Sequence, residues 1–321
     1  RFDRDIATAK KDHSQMLYGN ASGEVARVSS VVGATATNGE LTFAQSVAGG
    51  STFGAFKIRK NSYYQFIDAS GNQVVGTANI TKSKCTKVDK KNNKATFDSL
   101  PNSSGTVVVA ATHKLVPCTE NGVGQYYRAP YGLDYHFANS GVVQNVSYDT
   151  FENARAQILD AGQQYLSAPL MTKLKNCMYY RVDADKISGQ RWLIAPSNNH
   201  AMNMRGHSIR RATMQDRTVD MSYDKAQFEG MDPDVDPDCP RDRVYRFQEG
   251  AIQRIDLVPY DFFELEGTRA FLRNASTGRG HSAGINFYFF WAGQVWTIDP
   301  SALAMIRNTR LDGLPLGNDT Y

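Results

Sequence analysis

Four aspartates, Asp232, Asp234, Asp236 and Asp238, fall on alternate positions in the stretch "FEGMDPDVDPDCPRDRVYRF". Carboxylates crowded in this way repel one another unless a cation neutralises them, so the first chemistry to test is metal binding. An EF-hand loop requires Gly at its sixth position and Glu at its twelfth. Counted from Asp232, those positions hold Pro237 and Arg243, so the calcium template fails twice. Cys239 stands alone in the stretch and no CxxC occurs in the chain, so a zinc cage has no basis either. No metal is assigned. The Asp-Pro steps at 232–233 and 236–237 hold the backbone extended or turned. The stretch therefore reads as an acidic, proline-stiffened and solvated connection that delivers a strand around Val244, Tyr245 and Phe247.

The segment "GHSAG", residues 280–284, matches the G-x-S-x-G nucleophile elbow with Ser282 as nucleophile. That elbow needs a strand before the serine and a helix after it, then an acid and a histidine further on. Here a polar loop precedes the serine, an aromatic strand pattern follows it, and no histidine comes later. The stretch reads as a Gly-rich loop entering a strand. His200 and His207 lie seven residues apart, within reach of one helical face, but HExxH is absent. The histidines read as packing or helix-surface residues. No GxxxxGK[ST] occurs, and no GxGxxG follows a strand. No catalytic residue and no cofactor is therefore assigned, and the chain is read as a non-enzyme.

Two basic features suit contacts rather than catalysis. "TKSKCTKVDKKNNK" carries six lysines, among them Lys87, Lys90 and Lys91, on a hairpin pattern. It lacks the interleaved aromatics of a platform for stacking single-stranded nucleic acid. A solvated hairpin that resists edge pairing is the plain reading, and docking to an acidic neighbour is the functional one. "MRGHSIRRAT" places Arg205, Arg210 and Arg211 on a helical pattern, suited to carboxylates across a subunit interface.

Three stretches must position these residues. Residues 1–24 open with a helical pattern over 1–18, closed by "YGNASG". Residues 25–126 alternate β-branched runs with Gly, Asn and Ser turns, which predicts a small all-β barrel or sandwich of about six strands. Residues 127–321 mix helix and strand. Helices are expected over "SYDTFENARAQILDAG" and over "SAPLMTKLKNCMYYRVDAD", where Leu170, Leu174, Met178 and Val182 line one face, with Ser167 as a cap and Pro169 in the first turn. "GQRWLIAPSN" reads as a strand, "SNNHAMNMRGHSIRRAT" as a helix, and "RVYRF", "AIQRIDLVPYDFFEL" and "GINFYFFWAGQVWTI" as strands. The fold class is α+β.

Composition fits this layout. The chain has 321 residues with 41% hydrophobic and 21% charged residues, enough for a sizeable core. A net charge of +4 is too small to argue nucleic-acid binding by itself. No apolar run approaches the roughly 18 residues of a membrane span. Four widely spaced cysteines read as free thiols. The start "RFDRDIATAKK" has no Met and no signal-type apolar core, and reads as a processed or truncated product. Six Asn-x-Ser/Thr sequons keep a second class open, a secreted or surface β-rich adhesin stabilised by calcium.

The order of segments resembles that of the major capsid proteins of tailed bacteriophages, those with the Hong Kong 97-type fold. The resemblance is carried by "LYGNASGEVARV", a β-rich stretch, "YGLDYHF", "WLIAPSN", "FEGM", "DCPRDRVYRF" and "IQRIDLVP". It implies that residues 1–24 belong to the spine-helix part of the peripheral domain. It also implies that 25–126 is an inserted β domain and that 127–321 forms the peripheral and apical α+β domains. The implied function is a structural coat protein that self-assembles into capsomers and an icosahedral head around double-stranded DNA, found in the virion and assembled in the host cytoplasm. The partner is the chain itself. Decoration, scaffolding and portal proteins are further candidates, packaged DNA is met through non-specific proximity, and no membrane is involved. Candidate intersubunit contacts are Asp232, Asp234, Asp236, Asp238, Arg205, Arg210, Arg211, Lys87, Lys90 and Lys91, with the acidic turn of one copy facing the arginines of a neighbour. The resemblance also implies an N-terminal arm and an extended loop before the spine helix, whereas this sequence begins at that helix.

Overall fold

The computed structural model describes residues 14–32, 37–44, 53–118, 122, 129–180, 189–202, 228, 233–262, 271–273, 284–286 and 289–310. Of the helix expected over 1–18, residues 14–18 fall in the described part; 14–16 are helical and 17–18 already form the turn. Arg205, Arg210, Arg211, Asp232, Ser282 and Val182 lie outside the described residues.

The β-rich stretch closes on itself. Strands β1 (Ala26–Val32), β2 (Thr37–Phe43), β3 (Tyr63–Ile67), β4 (Ser83–Asp89) and β5 (Lys94–Ser99) come first. A small pair, β6 (Asn102–Ser103) and β7 (Thr106–Val107), then precedes β8 (Lys114–Cys118). The order β1-β2-β5-β4-β3-β8 is a closed barrel with antiparallel neighbours throughout. Closure removes the unpaired edges that a short open sheet would expose. Alternate residues point inward, as the period of two requires: Leu41 and Phe43 from β2, Ala95 and Phe97 from β5, and Leu115 from β8. Phe97 sits among Phe66, Tyr64 and Phe43 at ring-centre distances of 5.6, 6.2 and 6.4 Å, all edge-on. Each such buried ring contributes about 1.5–3 kcal/mol.

The second core is built on a five-stranded sheet. Its strands are β11 (Gln157–Asp160), β12 (Gln190–Ile194), β13 (Asp234–Val235), β14 (Val244–Gln248) and β19 (Leu303–Arg307). Between the barrel and this sheet comes a small hairpin, β9 (Val142–Val143) with β10 (Val146–Ser147). After β14 come β15 (Ile252–Phe262), β16 (Phe271–Arg273), β17 (Gly284–Asn286) and β18 (Phe289–Thr297). The sheet order is β11-β19-β14-β12-β13, parallel at both outer pairs and antiparallel within.

The two faces of this sheet are read directly from alternation. Ala304 and Ile306 of β19, Val244 of β14 and Trp192 and Ile194 of β12 face the helix Ala168–Tyr179. That helix answers with Leu170, Met171, Leu174 and Met178, the three-to-four spacing of one face. Ser167 is its N-cap residue and Pro169 lies in its first turn, though the serine side chain makes no capping bond. Leu303 and Met305 of β19 and Tyr245 of β14 point the other way, toward Tyr18 and Phe137. One charged side chain enters the helix-side core. Arg246 is 2% exposed, donates to Met178 Sδ at 3.0 Å and lies 5.2 Å from the Trp192 ring centre.

The helix expected over 147–162 does not form. Residues 152–154 make one 3-10 turn, and Gln157–Asp160 instead form strand β11. The cause is tertiary: β11 pairs in parallel with β19 from Gln157↔Ala304 to Asp160↔Arg307, and ladder bonds plus sheet burial override local helix preference.

Strands β15 and β18 form a separate two-stranded antiparallel ribbon, whose Ile252 end packs against the core cluster around Tyr245. The register runs from Ile252↔Thr297 to Phe262↔Phe289. Between Asp256↔Gly293 and Val258↔Ala292 one extra residue, Leu257, bulges out. A second irregularity, between Val258 and Asp261, takes in Pro259, which has no N–H to give a ladder.

Candidate functional site

The acidic turn begins as an edge strand. Asp234 and Val235 pair with Leu193 and Ile194, and the Asp236 N–H donates to the Ile194 carbonyl at 3.0 Å. The turn then closes on itself: Asp236 Oδ1 accepts from the Asp238 N–H at 2.8 Å, and the Cys239 N–H donates to the Asp236 carbonyl at 3.1 Å. This local bonding, with the Asp236–Pro237 step, fixes the course of the turn from Asp236 to Cys239.

Those directions diverge. Asp234 is exposed and pairs loosely with Arg191 at 3.7 Å. Asp236 accepts from the Tyr18 hydroxyl. Asp238 is only 6% exposed and accepts from Lys57 Nζ at 2.5 Å and from Gln15 Nε2 at 3.3 Å. The solvated connection expected from the sequence is thus corrected at its centre, where Asp238, Cys239 and Pro240 are buried. Asp238 does have a neutralising cation, but it is Lys57 of this same chain, from the 3-10 turn Gly54–Lys57 of the barrel. Arg241 reinforces the junction with its guanidinium 4.1 Å from the Phe56 ring centre. Among the described residues, no group of three His, Cys, Asp or Glu side chains could hold a metal.

Behind the turn lies a buried ion pair. Arg243 Nη1 donates to Asp134 Oδ2, and the Tyr245 hydroxyl donates to Asp134 Oδ1 at 2.8 Å. Burial alone would lower the Arg243 guanidinium, but Asp134, with Tyr245 and Asp242, raises it beyond its ordinary value. Burial, then Asp134, drives the Tyr245 phenol well up. Burial, then Cys239 and Asp236, does the same for Tyr18. Burial and then Asp236 raise the Cys239 thiol well above its usual range, so it stays protonated and unreactive. All four cysteines are free. These groups are charge-neutralised or held neutral, which suits a rigid joint.

Asp134 arrives on the short helix Leu133–His136, whose approach to the chain before the barrel is very close. The Leu133 N–H donates to the Leu17 carbonyl at 2.8 Å, and Asn20 and Tyr131 form an isolated antiparallel bridge. A Cβ on Gly132 would collide with the carbonyl oxygens of Leu17 and Gly19, so only glycine fits. The segments "LYGNASG" and "YGLDYHF" therefore touch, although the whole barrel separates them in sequence. His136 continues this packing, with Nε2 3.0 Å from the Val295 carbonyl of β18 and its imidazole lowered by burial.

Lys87, Lys90 and Lys91 are exposed on the β4–β5 hairpin. Asp89 braces its turn by accepting from the Asn92 side chain at 2.7 Å and backbone at 3.2 Å. The turn thus presents lysines to solvent from a fixed backbone. His200 is exposed on the helical segment 196–202. A strand, β17, begins at Gly284, where a nucleophile elbow would require a helix.

Among the described residues the ribbon carries three exposed large apolar side chains, while others, such as Tyr180, Val142 and Phe151, lie elsewhere. Leu257 is 85% and Ile255 53% exposed, and Trp296 46%. Ile255 pairs with Gln294 and Gln253 with Trp296, which places Ile255 and Trp296 on one face. The aromatic run entering the ribbon is anchored at Trp291, whose Nε1 donates to Asp256 Oδ1 at 2.7 Å.

Sequence reasoning missed Tyr18, Lys57 and Asp134, which engage the acidic turn and the strand after it. Each acts on a residue more than 100 positions away, and neither periodicity nor motif spacing carries such a signal.

No protein-family model matches the chain, and no curated protein matches it in sequence. Among solved structures it is similar to the capsid asymmetric unit of cyanophage A-1(L), with 14% identity and a TM-score of 0.37 over 58% of this chain and 60% of that one. It is also similar to the holo-SrpI encapsulin complex from Synechococcus elongatus, with 14% identity and a TM-score of 0.30 over 55% and 60%. A virus-like particle from Pyrococcus furiosus matches with 10% identity and a TM-score of 0.28 over 63% and 81%. The matched part spans three fifths of the cyanophage and encapsulin chains. These structural neighbours are a capsid, an encapsulin and a virus-like particle.

Proposed function

We propose that this chain is a structural coat protein that associates with copies of itself into a closed shell. The observation that carries the reading is the β15–β18 ribbon. Among the described residues, neither of its edges pairs with a third strand. Two strands pairing with no third are marginal in water by themselves, and this ribbon exposes Leu257, Ile255 and Trp296 beyond the end that packs on the body. Cover from further copies of the chain would satisfy the apolar face, and repeated symmetry-related contacts would close a shell.

In the finer reading, the shell is the icosahedral head of a tailed phage with a Hong Kong 97-type fold, assembled in the host cytoplasm around double-stranded DNA. The barrel is then an insertion in the capsid body, supported by the contact between the segments at Leu17–Asn20 and Tyr131–Leu133. Lys87, Lys90 and Lys91 remain candidates for contact with a neighbour, as does exposed Asp234. Asp232, Arg205, Arg210 and Arg211 stay candidates on sequence grounds, whereas Asp236 and Asp238 contribute by shaping the turn. Decoration, scaffolding and portal proteins are further candidate partners.

The test is Leu257→Asp in the full chain. A charge on the bulge should abolish large assemblies in sedimentation while leaving the circular dichroism of the dissociated chain unchanged. Assemblies of undiminished size would refute the role given to the ribbon.

A further inference from the structure

The barrel and the body are joined by polar contacts rather than by a shared core. The barrel cluster around Phe97 has no residue in common with either cluster of the five-stranded sheet. Among the described residues, no barrel strand packs extensively against a strand or helix of the body. At the seam are the Lys57–Asp238 pair at 2.5 Å and the Arg241–Phe56 stack at 4.1 Å. Lys57 is further placed by the Phe53 ring, 4.3 Å from its ammonium. Beside these contacts lies a cleft of about 250 Å³, lined in part by Tyr18, Lys57, Tyr63 and Pro240.

We infer that Lys57 and Asp238 form a latch that sets the tilt of the barrel on the body, and that its release lets the barrel rock as a rigid unit. The parts of such a device are all present. The moving element has its own closed core, so it keeps its shape. The connection where the chain leaves and rejoins the body is narrow, at Leu17–Asn20 against Tyr131–Leu133. The catch is one well-placed charge pair, with side chains 12% and 9% exposed, instead of an apolar interface that would have to be torn open. Asp238 is held ready by the self-bonded turn at Asp236, so the body side of the catch is preformed. Lys57 ends a 3-10 turn of only four residues, so the barrel side is short and local. The latch does not depend on the shell reading, since it concerns contacts within one chain.

The experiment is hydrogen exchange on the full chain, comparing wild type with Lys57→Met and with the exchanged pair Lys57→Asp plus Asp238→Lys. In Lys57→Met, exchange should quicken by about tenfold or more in peptides covering Gly54–Arg59 and Asp236–Asp242. Peptides covering Phe97 and Leu115 inside the barrel should keep wild-type protection. The exchanged pair should restore much of the lost protection at the seam. Unchanged exchange at the seam in Lys57→Met would overturn the latch. Loss of protection throughout the barrel would also overturn it, because Lys57 would then be a general folding residue. Failure of the exchanged pair to recover any protection would count against a charge-based catch.

Discussion

Arg243 and Asp134 form a buried ion pair that ties the residue just before strand β14 to the short helix Leu133–His136, 109 positions earlier in the chain. Their side chains are 4% and 9% exposed, and Tyr245 donates to the second oxygen of the same carboxylate. Removing one member of such a pair leaves a charge stranded away from water. Asp134→Ala is expected to cost about 3–5 kcal/mol of folding stability, read as a lower urea midpoint. By contrast Asp234→Ala, which removes a half-exposed partner of Arg191, should cost no more than about 1 kcal/mol. Equal effects from the two substitutions would contradict the burial argument.

Alkaline pH should destabilise the fold through the same region. Tyr245 and Tyr18 keep their protons in the folded chain, while the unfolded chain releases them near pH 10. Above that pH the unfolded state binds fewer protons than the folded one, so stability falls as pH rises. The Cys239 thiol adds to the fall from about pH 8.5. Each group contributes a slope of about 1.4 kcal/mol per pH unit between its unfolded and folded values. Below pH 8 these three groups should have no effect. Thermal melts from pH 7 to 11 check this, and Tyr245→Phe should flatten the upper part of the profile. A profile identical to wild type in that variant would exclude Tyr245 as a source.

Gly132 is where the chain closes against the segment that precedes the barrel. Gly132→Ala places a methyl carbon against the Leu17 and Gly19 carbonyls, which are backbone atoms and cannot rotate away. The cost should be about 1–3 kcal/mol, with faster exchange of the Leu133 amide that bonds to Leu17. Gly141, with open space around it, offers the control for spatial crowding, although its positive φ of 79° brings its own backbone strain. If Gly132→Ala melts at the wild-type temperature, the close crossing is not a constraint.

Much of the architecture was legible because it is local. Alternation and turn residues in 25–126 pointed to a barrel or sandwich, and the turn at Asp89–Asn93 formed as its Asp and Asn content suggested. Leu170, Leu174 and Met178 announced their helix by spacing, and "RVYRF" and "WLIAP" became β14 and β12. What was not legible depends on distant partners. Residues 157–160 look helical alone and become a strand only because β19 lies alongside. The four aspartates look alike in sequence, yet Asp234 faces solvent while Asp238 is buried against Lys57, 181 positions away. Alternation told which residues could share a direction, but the Asx turn at Asp236 broke that regularity. The ribbon was seen as two strands, whereas the bulge that ejects Leu257 depends on a register between strands that no single segment encodes.

The central claim is that copies of this chain cover each other's ribbons and close into a shell. Electron microscopy of the purified full chain, across a range of protein concentrations, tests it most directly. Closed particles or capsomer rings built from the wild-type chain, and their absence in Leu257→Asp, are the predicted result. A wild-type chain that stays a dispersed monomer at every concentration would contradict it.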